Sequence, residues 1–586
     1  MLRIFKYLTW NEWSQILCSF VFIVAQVWLD LKLPDYMAEI TKLVQTPGSD
    51  ILSIWTNGGW MLLCALGSVA SAFIVGFLAS RVAASFSQRL RSLQFNKVES
   101  FSMEEISRFS TASLITRSTN DVTQIQLLVT MGLQVVIRAP IMAVWAIMKI
   151  AGKGFEWTMA TAAAVGILIV IFALVMIFVM PKFRRMQKLI DNVTRVTREN
   201  LTGLRVVRAY NAEGFEKDKF EGANDELTRT QLFTNRAMAI MMPFVMTIMS
   251  GLSLVIYWIG AYLIEGAIMA ERLTIFANMV VFSAYAMQVI MSFMMLVIMF
   301  VMLPRASVSA RRINEVLDTR PAIVEGHMTE GRPGLRGHVT FNHVSFKYPD
   351  AAEYVLHDIS FTAKQGETIA FIGSTGSGKS TLINLVPRFF DATEGEILID
   401  GVNVRDYTLE ALYNKIGYVP QKAVLFKGTV SSNVAFGDNG GEGFVEADIQ
   451  RAVRIAQSTE FIEKMENAYD AEIAQGGANV SGGQKQRLAI ARAICRNPEI
   501  YIFDDSFSAL DYKTDRILRS ELRKETAGVT SMIVAQRIGT IMDADRIIVL
   551  DEGQVVGEGT HRDLLRTCAV YREIAMSQLS EEELVS

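Results

Sequence analysis

The chain has 586 residues, of which 51% are hydrophobic and 20% charged, and its formal net charge is −3. The length excludes a single soluble domain, the apolar content excludes disorder, and four scattered cysteines exclude a disulfide scaffold. The net charge gives no indication of nucleic-acid binding. The charges are unevenly spread, because residues 1–300 hold 46 charged side chains and residues 301–586 hold 71. This asymmetry predicts a membrane half followed by a soluble half.

The first half contains six stretches without any Asp, Glu, Lys or Arg. A helix needs about 20 apolar residues to cross the hydrocarbon of a bilayer. Four stretches are long enough by themselves, and the first and third become long enough when they extend past a few ionisable residues. The sequence therefore predicts six membrane-spanning helices, roughly at residues 13–35, 58–80, 130–152, 157–180, 240–264 and 275–302. The alternative is a set of buried helices in a large soluble protein, where charge-free stretches of this length are rare.

The connections between the predicted spans differ in their content of Lys and Arg. The connections after the second and fourth spans carry six and twelve such residues, whereas the three alternate connections carry one each. Because positive residues favour the cytoplasmic side, both long loops and both termini are expected to be cytoplasmic. The composition of these loops favours helices, so we expect the spans to continue into the cytosol. We expect the chain to lie in the plasma membrane.

Two features of the predicted spans leave alternatives open. Arg138 and Lys149 lie inside the third span, where ionisable residues are functional suspects, although each could also snorkel to an interface. Thirteen of the 29 Met residues fall between Met238 and Met302. Since Met is flexible and polarisable, they either line an adaptable substrate cavity between the fifth and sixth spans or face lipid and fill the core.

A linker rich in Pro and Gly follows the last span and places a domain boundary near residue 320. This divides the chain into a membrane domain, residues 1–320, and a soluble domain, residues 321–586. In the soluble domain a predicted strand at 367–372 leads directly into a Gly-rich loop and a helix. The loop fits the pattern G-x-x-x-x-G-K-[ST] at every position, with the residues Gly373, Ser374, Thr375, Gly376, Ser377, Gly378, Lys379, Ser380 and Thr381.

The chemistry of phosphate binding explains this pattern. Small residues let backbone N–H groups surround the phosphates, Lys379 reaches the β- and γ-phosphates, and the Ser380 hydroxyl coordinates Mg²⁺. A second apolar strand, 500–503, ends in Asp504, which can hold Mg²⁺ through water. The sequence therefore predicts an α/β P-loop NTPase domain that binds ATP or GTP with Mg²⁺.

Three further motifs narrow the class of NTPase. Gln421 follows a strand, Ser508 and Asp511 follow the acidic pair, and an S-G-G-Q motif about twenty residues before Asp504 consists of Ser481, Gly482, Gly483 and Gln484. With the P-loop, these residues resemble the Q-loop, D-loop and signature of the nucleotide-binding domain of ABC transporters. Six spans ahead of such a domain resemble an ABC exporter half-transporter, an α-helical six-span membrane domain followed by an α/β nucleotide-binding domain.

The resemblance implies further roles for residues of this chain. Tyr348 matches the aromatic residue that stacks on adenine, and Gln421 joins Ser380 and Asp504 around the Mg²⁺ ion. It also implies a dimer, in which the signature of one chain completes the ATP site on the P-loop of the other. Segments 111–121 and 208–216 would be coupling helices that touch the nucleotide-binding domains.

Two catalytic positions depart from the family pattern. After Asp504 the family has Glu, which polarises the attacking water, but this chain has Asp505, whose carboxylate is set back by roughly 1.5 Å because one methylene is missing. The family's switch His is replaced by Gln536, which can donate a hydrogen bond but cannot become cationic. These residues either substitute for the usual pair or mark a degenerate site that binds ATP and hydrolyses it poorly.

A degenerate site beside an intact signature resembles one subunit of the heterodimeric bacterial multidrug ABC exporters. The resemblance implies ATP-dependent export of hydrophobic or amphipathic compounds together with a second, different half-transporter. The alternatives are a homodimeric lipid or peptide exporter and a regulatory or channel-like subunit gated by ATP. The sequence does not name the substrate.

Overall fold

The computed structural model describes residues 2–46, 48–151, 153–349, 351–438, 440–441, 443–525 and 527–579. The chain forms two compact units. The first comprises Met1–Glu99 and Ala112–Thr319, and the second comprises Ser100–Thr111 and Arg320–Ser586. The second unit therefore includes a short segment from the first half of the chain, which the sequence did not predict.

Long helices make up nearly all of the chain before residue 320. After a 3₁₀ helix at Leu2–Tyr7, these are α1 (Trp10–Gln45), α2 (Ile51–Glu99), α3 (Met103–Phe109), α4 (Thr111–Thr116), α5 (Val122–Met131), α6 (Arg138–Ile150), α7 (Phe155–Thr202), α8 (Leu204–Ala209), α9 (Glu213–Gly266) and α10 (Met269–Asp318). Thr9 begins α1 with a capping box, in which its side chain bonds to Glu12 N and the Glu12 side chain bonds back to Thr9 N.

Six helical segments in the described part of the chain are long and apolar enough to cross a membrane, which confirms the predicted six-helix domain. The third is the least regular, because π-helical turns at Arg117–Asp121 and Gly132–Val136 separate α4, α5 and α6. The others continue well beyond the apolar stretch: α2 has 49 residues and α9 has 54. At a rise of about 1.5 Å per residue, such helices are roughly two and a half times as long as the hydrocarbon core of a bilayer is thick.

The first unit buries some apolar side chains and leaves many others exposed. One buried cluster contains Trp157, whose ring packs 5.5 Å from that of Phe282 and whose indole N–H donates to Ile256 O at 3.2 Å. On α2, by contrast, Phe73 and Phe77 are 77% and 58% exposed. A soluble protein of this size would bury such a surface, whereas a helix bundle in lipid leaves it in contact with acyl chains.

Two ion pairs connect α6 with α1 inside this unit. Arg138 Nη2 lies 2.8 Å from Asp30 Oδ2, and Lys149 Nζ lies 2.7 Å from Asp35 Oδ2. Asp35 also accepts a hydrogen bond of 2.7 Å from the Tyr285 hydroxyl of α10. Both basic residues are thus paired with an acidic residue of another span, and pairing lowers the cost of placing each charge at membrane depth.

The second unit is an α/β domain with a mainly parallel six-stranded sheet, an antiparallel four-stranded sheet and a small two-stranded antiparallel sheet. Its strands are β1 (Val339–Phe346), β2 (Leu356–Ala363), β3 (Thr368–Gly373), β4 (Glu394–Ile399), β5 (Val402–Asn403), β6 (Ile416–Val419), β7 (Gly428–Thr429), β8 (Glu472–Ile473), β9 (Ile500–Asp504), β10 (Thr530–Val534), β11 (Arg546–Asp551) and β12 (Gln554–Gly559). The main sheet has the order β12-β11-β3-β10-β9-β6, in which only β12 is antiparallel, and the second has the order β2-β1-β4-β5.

Helices cover the main sheet, as its fully buried central strands β9 and β10 require. After α3, the helices of this unit are α11 (Lys379–Leu385), α12 (Leu409–Asn414), α13 (Val430–Val434), α14 (Glu446–Ile455), α15 (Thr459–Glu463), α16 (Gly482–Cys495), α17 (Tyr512–Glu525), α18 (Ile538–Ile541), α19 (His561–Thr567) and α20 (Ala569–Met576), with 3₁₀ turns at Ala468–Asp470 and Gln475–Gly477. Alternate side chains of the strands enter two buried clusters.

The segment that joins the second unit early in the chain is α3. Ser102 begins it with a capping box, and Glu105 Oε1 accepts a hydrogen bond of 2.9 Å from Ala322 N. The predicted coupling segment 111–121 follows directly and belongs, from Ala112 onward, to the first unit. There Asp121 accepts a 2.8 Å hydrogen bond from Ser309. The short helix that packs with the nucleotide-binding domain thus lies just before the segment that the sequence indicated.

Candidate nucleotide site

The candidate site forms where four neighbouring parallel strands end. In the order β3, β10, β9 and β6, these strands lead into the P-loop, Gln536, the Asp504–Asp505 pair and Gln421. The carboxyl ends of parallel strands meet at one edge of a sheet, which is where open α/β sheets bind ligands. Four motifs spread over more than 160 residues are therefore brought together by strand order alone.

The P-loop has the tight backbone that its glycines predict. A Cβ atom on Gly373 would lie 2.0 Å from Leu550 O, and Gly378 has a φ of 92° at the start of α11. Lys379 folds over this loop, with Nζ donating to Gly373 O at 2.9 Å and Ser374 O at 2.6 Å. Burial lowers the pKa of Lys379, against the opposing effect of Asp505 and Asp504. The loop thus holds a half-buried ammonium group against its own backbone, where it can pair with an anionic phosphate.

Ser380 and Asp504 form the candidate Mg²⁺ site. The Ser380 hydroxyl donates to Asp504 Oδ1 at 2.8 Å. Burial raises the pKa of the Asp504 carboxyl, and the neighbouring charge of Asp505 adds to the effect. An oxygen-only site with excess negative charge fits Mg²⁺, which binds through one or two protein ligands and substrate phosphates. Within the described residues no cluster of three His, Cys, Asp or Glu could hold a metal alone.

Asp505 is the point at which the two unusual residues meet. Its Oδ2 atom accepts a hydrogen bond of 2.9 Å from Gln536 Nε2 and one of 3.2 Å from Gln421 Nε2. Asp505 is only 7% exposed and has a left-handed backbone φ of 45°. Burial raises the pKa of Asp505. One carboxylate oxygen at the position of the usual catalytic Glu is therefore already bonded to two amides.

Gln578, beyond α20, is a site residue that sequence reasoning missed. Its Nε2 donates to Gln536 O at 2.8 Å, and its Oε1 accepts from Ile538 N at 2.9 Å. One carboxamide thus bonds to the backbone on both sides of Arg537 and fixes the loop that carries Gln536. No sequence motif includes Gln578, and only its closeness in space to the loop that carries Gln536 identifies it.

The signature segment forms an exposed helix start. Ser481 begins α16 with a capping box, because its hydroxyl accepts from Gln484 N at 3.3 Å and Gln484 Oε1 accepts from Ser481 N at 2.8 Å. Both Ser481 and Gly482 are exposed. The D-loop lies beside this segment, since a Cβ atom on Gly483 would be 3.3 Å from Ala509 O.

The D-loop residues stabilise turns near the acidic pair. The Ser508 hydroxyl donates to Asp505 O at 2.9 Å, and Asp511 Oδ1 accepts from Thr514 N at 2.9 Å at the start of α17. This backbone hydrogen bond lowers the pKa of Asp511. Ser508 therefore helps to fix the left-handed backbone of Asp505.

Tyr348 is held against the P-loop helix. Its hydroxyl lies 3.0 Å from Thr381 Oγ1, and its ring makes edge-to-face contacts with Phe346 and Phe390 at 5.0 and 5.4 Å. A cavity of about 310 Å³ adjoins the ring and is lined in part by Lys347, Pro349 and Glu104 of α3. The ring is thus fixed beside the phosphate loop, as an aromatic partner for a base requires.

Comparison with known proteins agrees with this geometry. The family described as "ABC transporter" matches residues 356–508, and the family described as "ABC transporter transmembrane region" matches residues 16–293. An uncharacterized ABC transporter ATP-binding protein of Mycobacterium tuberculosis (strain H37Rv) is 42% identical over 522 residues, which is 89% of this chain and 87% of the relative. This chain belongs to the ABC transporter family.

Other members of the family are also similar along most of their length. The ATP-dependent lipid A-core flippase of Pseudomonas aeruginosa is 32% identical over 526 residues, 89% of this chain and 85% of the flippase. The structure of a bacterial Atm1-family ABC exporter with ATP bound superposes with a TM-score of 0.79 at 24% identity, covering 97% of this chain and 98% of the exporter. This likeness shows the same fold.

Family membership settles the general activity. This ABC transporter joins a six-helix membrane domain to an ATP-binding domain, binds ATP with Mg²⁺, couples ATP hydrolysis to transport and acts in a dimer within a lipid bilayer. Its site retains the P-loop, Ser380 and Asp504 in bonding geometry.

Proposed function

We propose that this chain is one subunit of a heterodimeric exporter in the plasma membrane, with both termini cytoplasmic, and that its own P-loop site binds ATP but hydrolyses it slowly. The observation that carries the proposal is the double hydrogen bond from Gln421 and Gln536 to Asp505 Oδ2. A carboxylate that is both short and bonded to two amides is poorly placed to polarise a water molecule.

The residues that bind ATP are all in place for that role. Bound Mg²⁺ would neutralise phosphate charge, with Ser380 and Asp504 as its protein ligands and Gln421 beside them. Lys379 supplies a positive charge close to the backbone of the loop, and Tyr348 offers a ring for the base. This chain therefore has the residues proposed to bind the phosphates, Mg²⁺ and the base, and the signature would come from the partner.

Hydrolysis needs two groups that the chain has replaced. Gln536 can donate a neutral hydrogen bond, whereas a protonated His would donate a stronger, charge-assisted one to the developing phosphate charge. The signature at Ser481 is exposed and well formed, so it can complete a site on a partner's P-loop. A heterodimer combines these properties best: one weak site on this chain's P-loop and one strong site on the partner's, completed by this chain's signature.

The membrane unit supports an apolar or amphipathic substrate. A cavity of about 520 Å³ lies among α1, α2, α6 and α10, and five Met side chains line it: Met37, Met61, Met142, Met291 and Met295. Among the described residues, α10 but not α9 contributes to this cavity, so it differs from a cavity between the fifth and sixth spans, which was one of the two alternatives that the sequence left open for the Met-rich segment. Flexible thioether side chains adapt to ligands of different shape, as a multidrug exporter requires.

A second candidate function is a homodimeric lipid exporter. Relatives that are 31–32% identical over most of the chain are named ATP-dependent lipid A-core flippases. In that arrangement both sites would contain Asp505 and Gln536, and both would be slow. The third alternative, an ATP-gated regulatory subunit, would move no substrate itself.

Purification of the tagged chain from its native membrane distinguishes these functions. The proposal expects a second half-transporter with Glu and His at the catalytic positions to co-purify, and hydrophobic dye efflux from proteoliposomes to depend on ATP hydrolysis. A pure homodimer whose ATPase rate doubles on Asp505→Glu alone would contradict the heterodimer. Dye efflux that needs ATP binding but not hydrolysis would favour the regulatory subunit.

A further inference from the structure

The membrane cavity contains one charged pair in a mostly apolar wall. Asp30 and Arg138 both line it, next to Gln288 and the Met side chains described above. Their side chains are 16% and 30% exposed, and they are joined by a 2.8 Å salt bridge. Charged groups that line a membrane cavity are costly, so their position is an indication of ligand binding.

The two partners of this ion pair differ in how fully they are bonded. Asp30 accepts from Arg138 with one oxygen and from the Ser68 hydroxyl with the other. Arg138, which has five N–H donors, donates among the described residues only to Asp30. The hydrogen-bonding capacity that remains at the cavity wall is therefore that of a cationic donor.

Gln288 adds a second unused polar group. Its Oε1 atom is buried and has no hydrogen-bond partner among the described residues, although a buried carboxamide normally finds one. Gln288 and Arg138 both face the same cavity. An acidic head group that also carries a hydroxyl or a protonated oxygen could therefore accept from Arg138 and donate to Gln288.

From this geometry we propose that the cavity binds an amphiphile with a single anionic head group, a phosphate or carboxylate, which pairs with the free donors of Arg138 while its chain contacts the Met wall. The inference rests on the proposed export function and names its substrate class. The head group is anionic rather than cationic because both Asp30 oxygens already accept a hydrogen bond, whereas Arg138 uses only one of its five donors among the described residues. The shared chemistry is found in membrane lipids and in free amphiphiles alike.

Equilibrium binding of radiolabelled dodecyl phosphate to the purified complex in phosphatidylcholine nanodiscs tests the proposal without requiring ATP. Arg138→Gln is expected to weaken binding about 10-fold or more, the scale of a hydrogen bond to a charged group. Asp30→Asn is expected to tighten it, because the internal anion that competes for Arg138 disappears. A gain of affinity cannot come from misfolding, so this variant keeps the test valid if Arg138→Gln is unstable.

Matched controls separate the site from general damage. Asp35→Asn disturbs the second intramembrane ion pair, which does not line the cavity, and is expected to leave affinity unchanged. Dodecanol, which shares the chain but lacks the charge, is expected to bind more weakly and to be insensitive to Arg138→Gln. The proposal is overturned if Asp30→Asn weakens binding, if Arg138→Gln has no effect, or if dodecyltrimethylammonium binds more tightly than the phosphate.

A second arm identifies the source of the ligand. When phosphatidic acid replaces part of the phosphatidylcholine, displacement of the probe from the unmodified complex but not from Arg138→Gln supports a membrane lipid as occupant. Binding that is unaffected by the lipid supports a free amphiphile. Because no step needs ATP hydrolysis, failure here with efflux intact refutes the anion site alone, whereas loss of efflux with binding intact refutes the export function.

Discussion

The most informative perturbation is to restore the two replaced catalytic residues. Asp505→Glu extends the carboxylate by one methylene, roughly 1.5 Å, and a misplacement of about 1 Å can cost on the order of 100-fold in rate. Gln536→His supplies a group that can become cationic, and a hydrogen bond to charge contributes about 1.5–3 kcal/mol, or about 10- to 100-fold.

The structure predicts that these substitutions act together. Gln536 Nε2 and Gln421 Nε2 both donate to Asp505 Oδ2. If Asp505 alone is replaced by Glu, both amides still face the carboxylate, and if Gln536 alone is replaced, Gln421 still bonds to Asp505. We expect Asp505→Glu alone to raise hydrolysis at this site by less than about 10-fold and the double variant to raise it by about 100-fold, because contacting residues are rarely additive.

The assay must report which chain hydrolyses ATP. Vanadate trapping of a photoreactive ATP analogue labels the chain whose P-loop has completed a turnover. The unmodified complex is expected to trap label on the partner, and the Asp505→Glu, Gln536→His variant on both chains. Lys379→Ala added to the double variant is the control and is expected to remove label from this chain. Equal labelling of both chains before any substitution would refute the reasoning.

Three further expectations concern the same domain. Gln578→Ala removes two hydrogen bonds that hold the switch loop. Because one net hydrogen bond contributes roughly 1 kcal/mol, this variant is expected to bind fluorescent ATP about fivefold more weakly. Gln578→Glu keeps only the acceptor and is expected to have an intermediate affinity. Gly373→Ala is expected to abolish ATP binding in the same assay, because its Cβ would lie 2.0 Å from Leu550 O, whereas Gly539→Ala meets nothing within 4 Å and should bind normally. Asp505→Asn is expected to raise the melting temperature in scanning fluorimetry at neutral pH, since a raised pKa means that the folded state disfavours the ionised carboxyl. That gain should vanish as the pH falls through the folded pKa towards the ordinary value of 3.8, where the original carboxyl is neutral as well.

The features that could be predicted from the sequence are those that depend on residues close together in the chain. The six spans follow from composition, and the P-loop follows from spacing that only a phosphate cradle needs. The proximity of Gln421, Asp505 and Gln536 was also accessible, because each follows an apolar strand and parallel strands end at one edge. What could not be read was that Gln421 and Gln536 share one oxygen of Asp505, since a one-dimensional pattern carries no distances.

Other features depend on contacts between distant segments. Arg138 and Asp30 are 108 residues apart, and Gln578 lies 42 residues beyond Gln536, so no periodicity links either pair. The Met-rich segment was misleading for a similar reason. Three of the five Met residues that line the cavity lie outside it, because a bundle builds a cavity from one face of several helices rather than from one stretch of chain.

The nucleotide site and the membrane cavity follow the same physical logic. In each, a basic side chain lies where an anion could bind: Lys379 donates only to neutral oxygen atoms of the P-loop, and Arg138 keeps donors beyond its single bond to Asp30. A partly buried cation that bonds only to neutral groups, or that keeps unused donors, is stabilised when an anion binds, so each site gains from ligand binding. Asp505 is the opposite case, because its Oδ2 atom gains nothing further from a ligand while it accepts hydrogen bonds from two amides. Under the proposed function, the chain would therefore bind a ligand at both sites and hydrolyse ATP slowly at its own, as a binding subunit in an asymmetric pair requires.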